Sequence, residues 1–90
     1  MTSFEDFRRD ALARGADEVL EREWAPMHTT PVHDHPFDTR ARVVRGSLRL
    51  IIDGQERLLQ AGDEFELARH VAHAEQYGPE GATFWAARRN

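Results

Sequence analysis

Phe4, Phe7 and Ala11 recur at helical spacing, and after Gly15 this period gives way to short apolar segments separated by turn residues. Ser3 is suited to cap a helix, Glu5 and Asp6 fall where the helix dipole favours negative charge, and Gly15 follows Arg14 as a stop. The pattern therefore predicts one short amphipathic helix over residues 4–14. Strands are predicted over 19–24, 41–45, 48–52, 55–59, 64–67, 73–77 and 82–87, six or seven depending on how the last ones divide. Asp53-Gly54 is a strong hairpin signal, and Ala61-Gly62-Asp63 reads as a second corner. Gly78, Pro79 and Gly81 separate the last two strands, and residues 25–36 carry three prolines, which makes them a broken or extended passage. Such spacing predicts a small all-β sandwich or barrel with a helix at its amino end. The adjacent Leu58 and Leu59 leave the register of the central hairpin open, since either can serve the buried face.

Composition narrows the class of protein. Ninety residues and 10.4 kDa fit one domain spanning residues 1–90, and 40% hydrophobic with 31% charged residues describes a soluble globule. A chain of this length buries only about 60–65% of its unfolded surface, so pairing with a second copy would add stability. All twelve basic residues are arginines, interleaved with sixteen acids for a net charge of −4. No basic face results, and nucleic acid is not an expected partner. Without cysteine, disulfides and thiolate chemistry are excluded, and any metal must be held by nitrogen and oxygen. The longest apolar run, Phe84-Trp85-Ala86-Ala87, is far short of a membrane span. The amino end lacks an apolar signal core and matches its arginines with Glu5, Asp6 and Asp10, so a cytoplasmic location is expected.

The most informative residues are His33, His35 and His73. Side chains two apart on an extended segment point the same way, so His33 and His35 would present two imidazoles to one face. His73, beyond the corner at Gly62-Asp63, can supply a third from a separate strand. Imidazole suits Fe, Ni, Cu and Zn, and three nitrogen ligands leave positions open for water or substrate. The plain alternative is a solvated loop rich in Pro, His and Asp, because short motifs of this kind arise by chance.

The segment His33-Asp34-His35-Pro36-Phe37-Asp38 with Gly46 downstream, followed by Gly62 and His73, resembles the two motifs of the cupin superfamily. His33, His35 and Gly46 fall on the first motif, Gly62 and His73 on the second, and the resemblance covers roughly residues 19–88. It implies a double-stranded β-helix, the cupin or jelly-roll barrel, over about 17–88, with the three histidines converging on one divalent transition metal ion (Fe, Mn, Ni, Cu or Zn). It also implies a homodimer and a small-molecule ligand or substrate. The chemistry would be dioxygenase-like or isomerase-like, or the chain would be a non-catalytic binding module. The sequence departs from the family in two places. Thr39 or Arg40 stands where the metal-binding Glu is expected, and Ala68 and His70 replace the Pro and Gly of the second motif. A carboxylate can still come from Glu75, which shares a strand face with His73, whereas Asp38 would need a local twist to point inward.

Other candidates are weaker. Trp24, Phe65, Phe84 and Trp85 read as packing inside the barrel. Thr39 and Tyr77 are candidate pocket residues, Tyr77 because it follows His73 by four on a strand. Arg40 and Arg42 share a face with Val44. That face points outward and pairs with acids, or else sets Arg42 at the pocket rim, where a guanidinium would recognise a carboxylate or phosphate. His28 and His70 are expected at the surface or rim.

Overall fold

A computed structural model describes residues 3–90. Its elements are α1 (Phe4–Ala13), β1 (Glu18–Trp24), β2 (Asp38–Ile52), β3 (Gln55–Gln60), β4 (Glu64–Leu67) and β5 (Ala74–Arg89). Ser3 caps α1 in a capping box: its hydroxyl accepts from the Asp6 N–H and its own N–H donates to the Asp6 carboxylate. The Ser3 N–H, followed by the Ser3 side chain, holds the Asp6 carboxyl below its usual range, with the charge of Arg9 adding to them.

Five strands form instead of seven, because four of the expected ones merge in pairs. β2 runs unbroken through Gly46, and β5 runs through Gly78 and Gly81. The expected breaks survive as kinks within the strands. Antiparallel pairing of β2 with β5 shifts register between Val43 and Arg45 and again between Gly46 and Leu48, where Gly46 faces Ala82 but Leu48 faces Tyr77. Residues 78–81 are thus left without partners on β2, a place where Pro79 has no ladder bond to lose. Gly46 and Gly81 have φ of +73° and +71°, and a Cβ on Gly46 would strike the Gly81 carbonyl. The two long strands bend over one another only because both positions lack a side chain. Beyond β2, β4 pairs with its first part (Thr39–Arg42) and β3 with its last (Ser47–Ile52), while β1 covers the free edge of β5.

Ala41, Val43, Leu48, Leu50, Leu59, Phe65, Leu67, Tyr77, Ala82, Phe84 and Ala86 fill the interior. A second cluster lies on the outer face, where Phe7 and Ala11 of α1 pack on Trp85 and Ala87. Alternate residues of β5 therefore go to the interior and to the helix. Both faces are covered, which explains the apolar run at 84–87. It also corrects the placement of Trp85: it lies outside the barrel, edge-on to Phe4 at 5.8 Å, with its indole N–H donating to Glu21 at 3.0 Å. No helix among the described residues is long and apolar enough to cross a membrane.

The register question at the hairpin is answered by pairing. Leu59 faces Leu48 and is fully buried, whereas Leu58 faces Arg49 and is 53% exposed. Leu59→Ala should cost about 2–5 kcal/mol in urea unfolding and Leu58→Ala less than about 1. Equal losses would contradict this register.

Candidate metal centre

His33 and His35 sit in the irregular passage between β1 and β2, and His73 just before β5. His33 and His73 pair as an isolated antiparallel bridge in which each backbone N–H donates to the other's carbonyl, at 2.9 and 2.8 Å. Residues paired in this way carry their side chains on the same side, which brings the two ring centroids to 4.3 Å. His35 is held by its carbonyl, which accepts from the His70 N–H at 2.7 Å, and by stacking on Phe37 at 4.9 Å. His70 makes that bond from φ +66°, the left-handed conformation a Gly would take freely, at a cost of about 1–2 kcal/mol. One nitrogen from each of the three rings lies within 4.8 Å of the other two.

The hydrogen bonds of the rings decide their tautomers. His33 Nδ1 lies 2.8 Å from the Pro31 carbonyl and His73 Nδ1 lies 2.9 Å from the Val71 carbonyl. A carbonyl only accepts, so each Nδ1 carries the proton, and in the neutral ring Nε2 keeps its lone pair. Both Nε2 atoms face Glu75 Oε2, at 3.4 Å from His33 and 3.9 Å from His73. Glu75 is buried and tightly held. Tyr77 OH donates to Oε1 at 2.8 Å, and Thr30 Oγ1 donates to Oε2 at 3.4 Å while accepting from the Glu75 N–H. Burial, followed by the charge of Glu75 and this bond, pushes the Tyr77 phenol far above its usual range, so it stays a donor.

The centre is thus three acceptors turned towards one another with no proton between them, an arrangement that calls for a cation. Two ligand atoms each about 2.0–2.1 Å from a shared zinc-like ion lie about 3.4 Å apart at a tetrahedral angle, which is the His33–Glu75 spacing. The donor set fits a borderline divalent ion.

A cavity of about 100 Å³ adjoins the centre, lined by the three histidines and Glu75 with Thr39, Phe37, Phe65, Leu67 and Phe84 among others. Thr39, at the position of the family's carboxylate, points into it. Tyr77 reaches the site only through Glu75. Arg42 does not line the cavity: it projects from the outer face of β2 into the groove under α1, beside Asp6 and Asp10. Strand alternation compels this, because Thr39, Ala41 and Val43 take the inward face. Asp38 also stays away, held by the Arg69 side chain and N–H, and these bonds keep its carboxyl below the usual range. His28 and His70 are exposed, stacked on Trp24 and bonded to Asp34 respectively. Sequence reasoning missed Thr30, Arg22 and Arg88. Arg22 and Arg88 line the cavity and lie opposite Phe84 and Glu18 in the β1–β5 ladder, a placement visible only once that register is known.

No protein-family model and no curated protein matches the chain. Among solved structures it is similar to an RmlC-like cupin from Shewanella frigidimarina, with 26% identity and a TM-score of 0.69 over 78% of this chain and 62% of that one. A cupin protein from Bacteroides fragilis superposes with a TM-score of 0.69 at 24% identity, over 89% of this chain and 70% of that one. KdgF from a Halomonas species follows with a TM-score of 0.66 at 21% identity, over 80% and 68%. The chain thus spans less than two thirds of the Shewanella protein.

Burial, followed by the charges of His73, His33 and Arg88, lowers the His35 pKa below its usual 6.5. The unfolded chain then takes up this proton at a higher pH than the folded one, so stability of the metal-free protein falls as pH drops below about 6.5. Nitrogen-15 NMR at pH 8 should show His33 and His73 in the Nδ1–H form, and the His35 titration midpoint should lie below 6.5. The Nε2–H form at either ring would refute the arrangement.

Proposed function

Since the chain is a small domain of the cupin superfamily, we propose that it binds one divalent transition metal ion (Fe, Mn, Ni, Cu or Zn) through His33, His35 and His73. Glu75 serves as the additional ligand, and the ion acts on or holds a small molecule. The observation that carries this reading is the clustering of one ring nitrogen from each of His33, His35 and His73 within 4.8 Å of one another, with Glu75 Oε2 beside two of them at 3.4 and 3.9 Å. Glu75 offsets the ion's charge in place of the carboxylate that Thr39 does not provide. Thr30 and Tyr77 orient Glu75, the Pro31 and Val71 carbonyls hold His33 and His73 in the ligand tautomer, and Phe37, Phe65 and Phe84 keep water out. A bound ion supplies Lewis-acid polarisation of a ligand oxygen or a site for dioxygen. In its sharper form the reading is a metal-dependent enzyme of dioxygenase or isomerase type. The alternative, a non-catalytic ligand-binding module, is favoured by Thr39 at the family's carboxylate position. Pairing of two copies belongs to the same reading, since β1 and β3 are sheet edges and β3 exposes Leu58.

Elemental analysis of protein purified without chelator should give about one ion per chain, and none in His73→Ala. Glu75→Gln should weaken metal affinity about tenfold or more. Affinity should also decline as pH falls, because protons compete with the ion for the imidazole nitrogens, and chelator should lower the melting temperature. Full metal content in His73→Ala would sink the proposal. Turnover of a small substrate by the metal-loaded protein, abolished by the same substitution, separates the enzyme from the binding module.

A further inference from the structure

The cavity lining also holds two cations. Arg22 of β1 and Arg88 of β5 both line it. Each guanidinium lies over an aromatic ring that is itself stacked on a residue of the centre or on its support. The Arg88 guanidinium carbon is 4.5 Å from the Phe37 ring centre, and Phe37 stacks on His35 at 14°. The Arg22 carbon is 4.9 Å from the Trp24 ring centre, Trp24 stacks on Tyr77 at 18°, and Tyr77 donates to Glu75. An aromatic face holds a guanidinium flat and leaves its N–H edge available for a planar anion.

These donors lack matching acceptors inside the protein. Among the described residues Arg22 has no ion-pair partner, and Arg88 meets Glu18 at 3.5 Å, a carboxylate that is 51% exposed. So exposed a pair contributes only about 0–1 kcal/mol and yields readily to a better-placed anion. The Trp24 indole N–H is buried with no partner at all. Glu75 lies in ion-pair range of the two histidines and of neither arginine. Two half-buried cations beside one cavity call for an acceptor-rich, negatively charged occupant.

We propose that the occupant is a small carboxylate-bearing molecule whose carboxylate is received by Arg22 and Arg88, while a second oxygen faces the metal centre. The second half of this statement rests on the metal reading above, and the first does not. A volume of about 100 Å³ restricts the ligand to a few heavy atoms, well below the roughly 300 Å³ at which pockets for drug-sized molecules begin.

The test is calorimetric titration of malonate into zinc-loaded and chelator-treated protein, with neutral malonamide and inorganic phosphate as comparison probes. Malonate should bind the zinc-loaded wild type and malonamide should not. Arg22→Gln and Arg88→Gln should each weaken malonate binding about tenfold or more with zinc content per chain unchanged. Arg88→Lys, which keeps the charge but not the fork, should fall between. If Arg88→Gln fails to fold, Arg22→Gln carries the test, since no ion pair is lost with it. Zinc retained with malonate unbound, or bound equally by the variants, would overturn this proposal and leave the metal reading intact. Arginine-dependent binding of phosphate in place of malonate would overturn the carboxylate assignment. Arginine-dependent malonate binding by a wild type that holds no zinc would support the anion site and refute the metal centre.

Discussion

The bent ladder between β2 and β5 is the constraint on which the rest of the molecule depends. Fifteen- and sixteen-residue strands cannot fold a flat sheet on to itself, and the bend concentrates where Gly46 meets Gly81. On either side of it the same two strands present different neighbours, β4 and β1 towards one end, β3 and the histidine bridge towards the other. Closing the sheet in this way brings the passage from Thr29 to Phe37 alongside β5, and His33 into register with His73. The histidine cluster is thus a consequence of barrel closure, anchored by the backbone bonds between His33 and His73.

Within that frame the centre depends on the directions of lone pairs. Two backbone carbonyls each claim one imidazole nitrogen and turn the other inward, and two hydroxyls pin the carboxylate that faces them. Each support is a hydrogen bond, from the Pro31 and Val71 carbonyls beside the His33–His73 bridge or from Thr30 and Tyr77, so little side-chain entropy remains to be lost when a ligand arrives. The same lining also carries the inverse chemistry: aromatic faces hold guanidinium groups that only donate. A ligand in the cavity must match both the acceptors and the donors of its lining.

Much of this was legible in the chain itself. The helix, its Ser3 cap and the turn at Asp53-Gly54 rest on local chemistry that neighbours in sequence decide, whereas the grouping of His33, His35 and His73 was an expectation from the resemblance to the two cupin motifs. The number of strands was not legible, because Gly46, Gly78 and Gly81 read as breaks, and only the partner strand turns a break into a kink. Trp85 went astray for a similar reason. A residue flanked by apolar neighbours has no intrinsic inside, and the outward face of β5 became buried only when α1 settled on it.

The arginines mark the same boundary most sharply. Arg42 was a candidate for the pocket because its side chain can recognise anions, yet alternation along β2 sends it to the outer face. Arg22 and Arg88, sixty-six positions apart in the chain, carry no signal in sequence and meet at the cavity through the pairing of β1 with β5. Periodicity, capping and turn chemistry act over a few residues, so the sequence by itself determined the helix, its cap, the hairpin turn and the His33-x-His35 spacing. Which face each element buries, which carboxylate joins the histidines and which cations line the cavity depend on contacts between residues distant in the chain. Only the tertiary structure decided those.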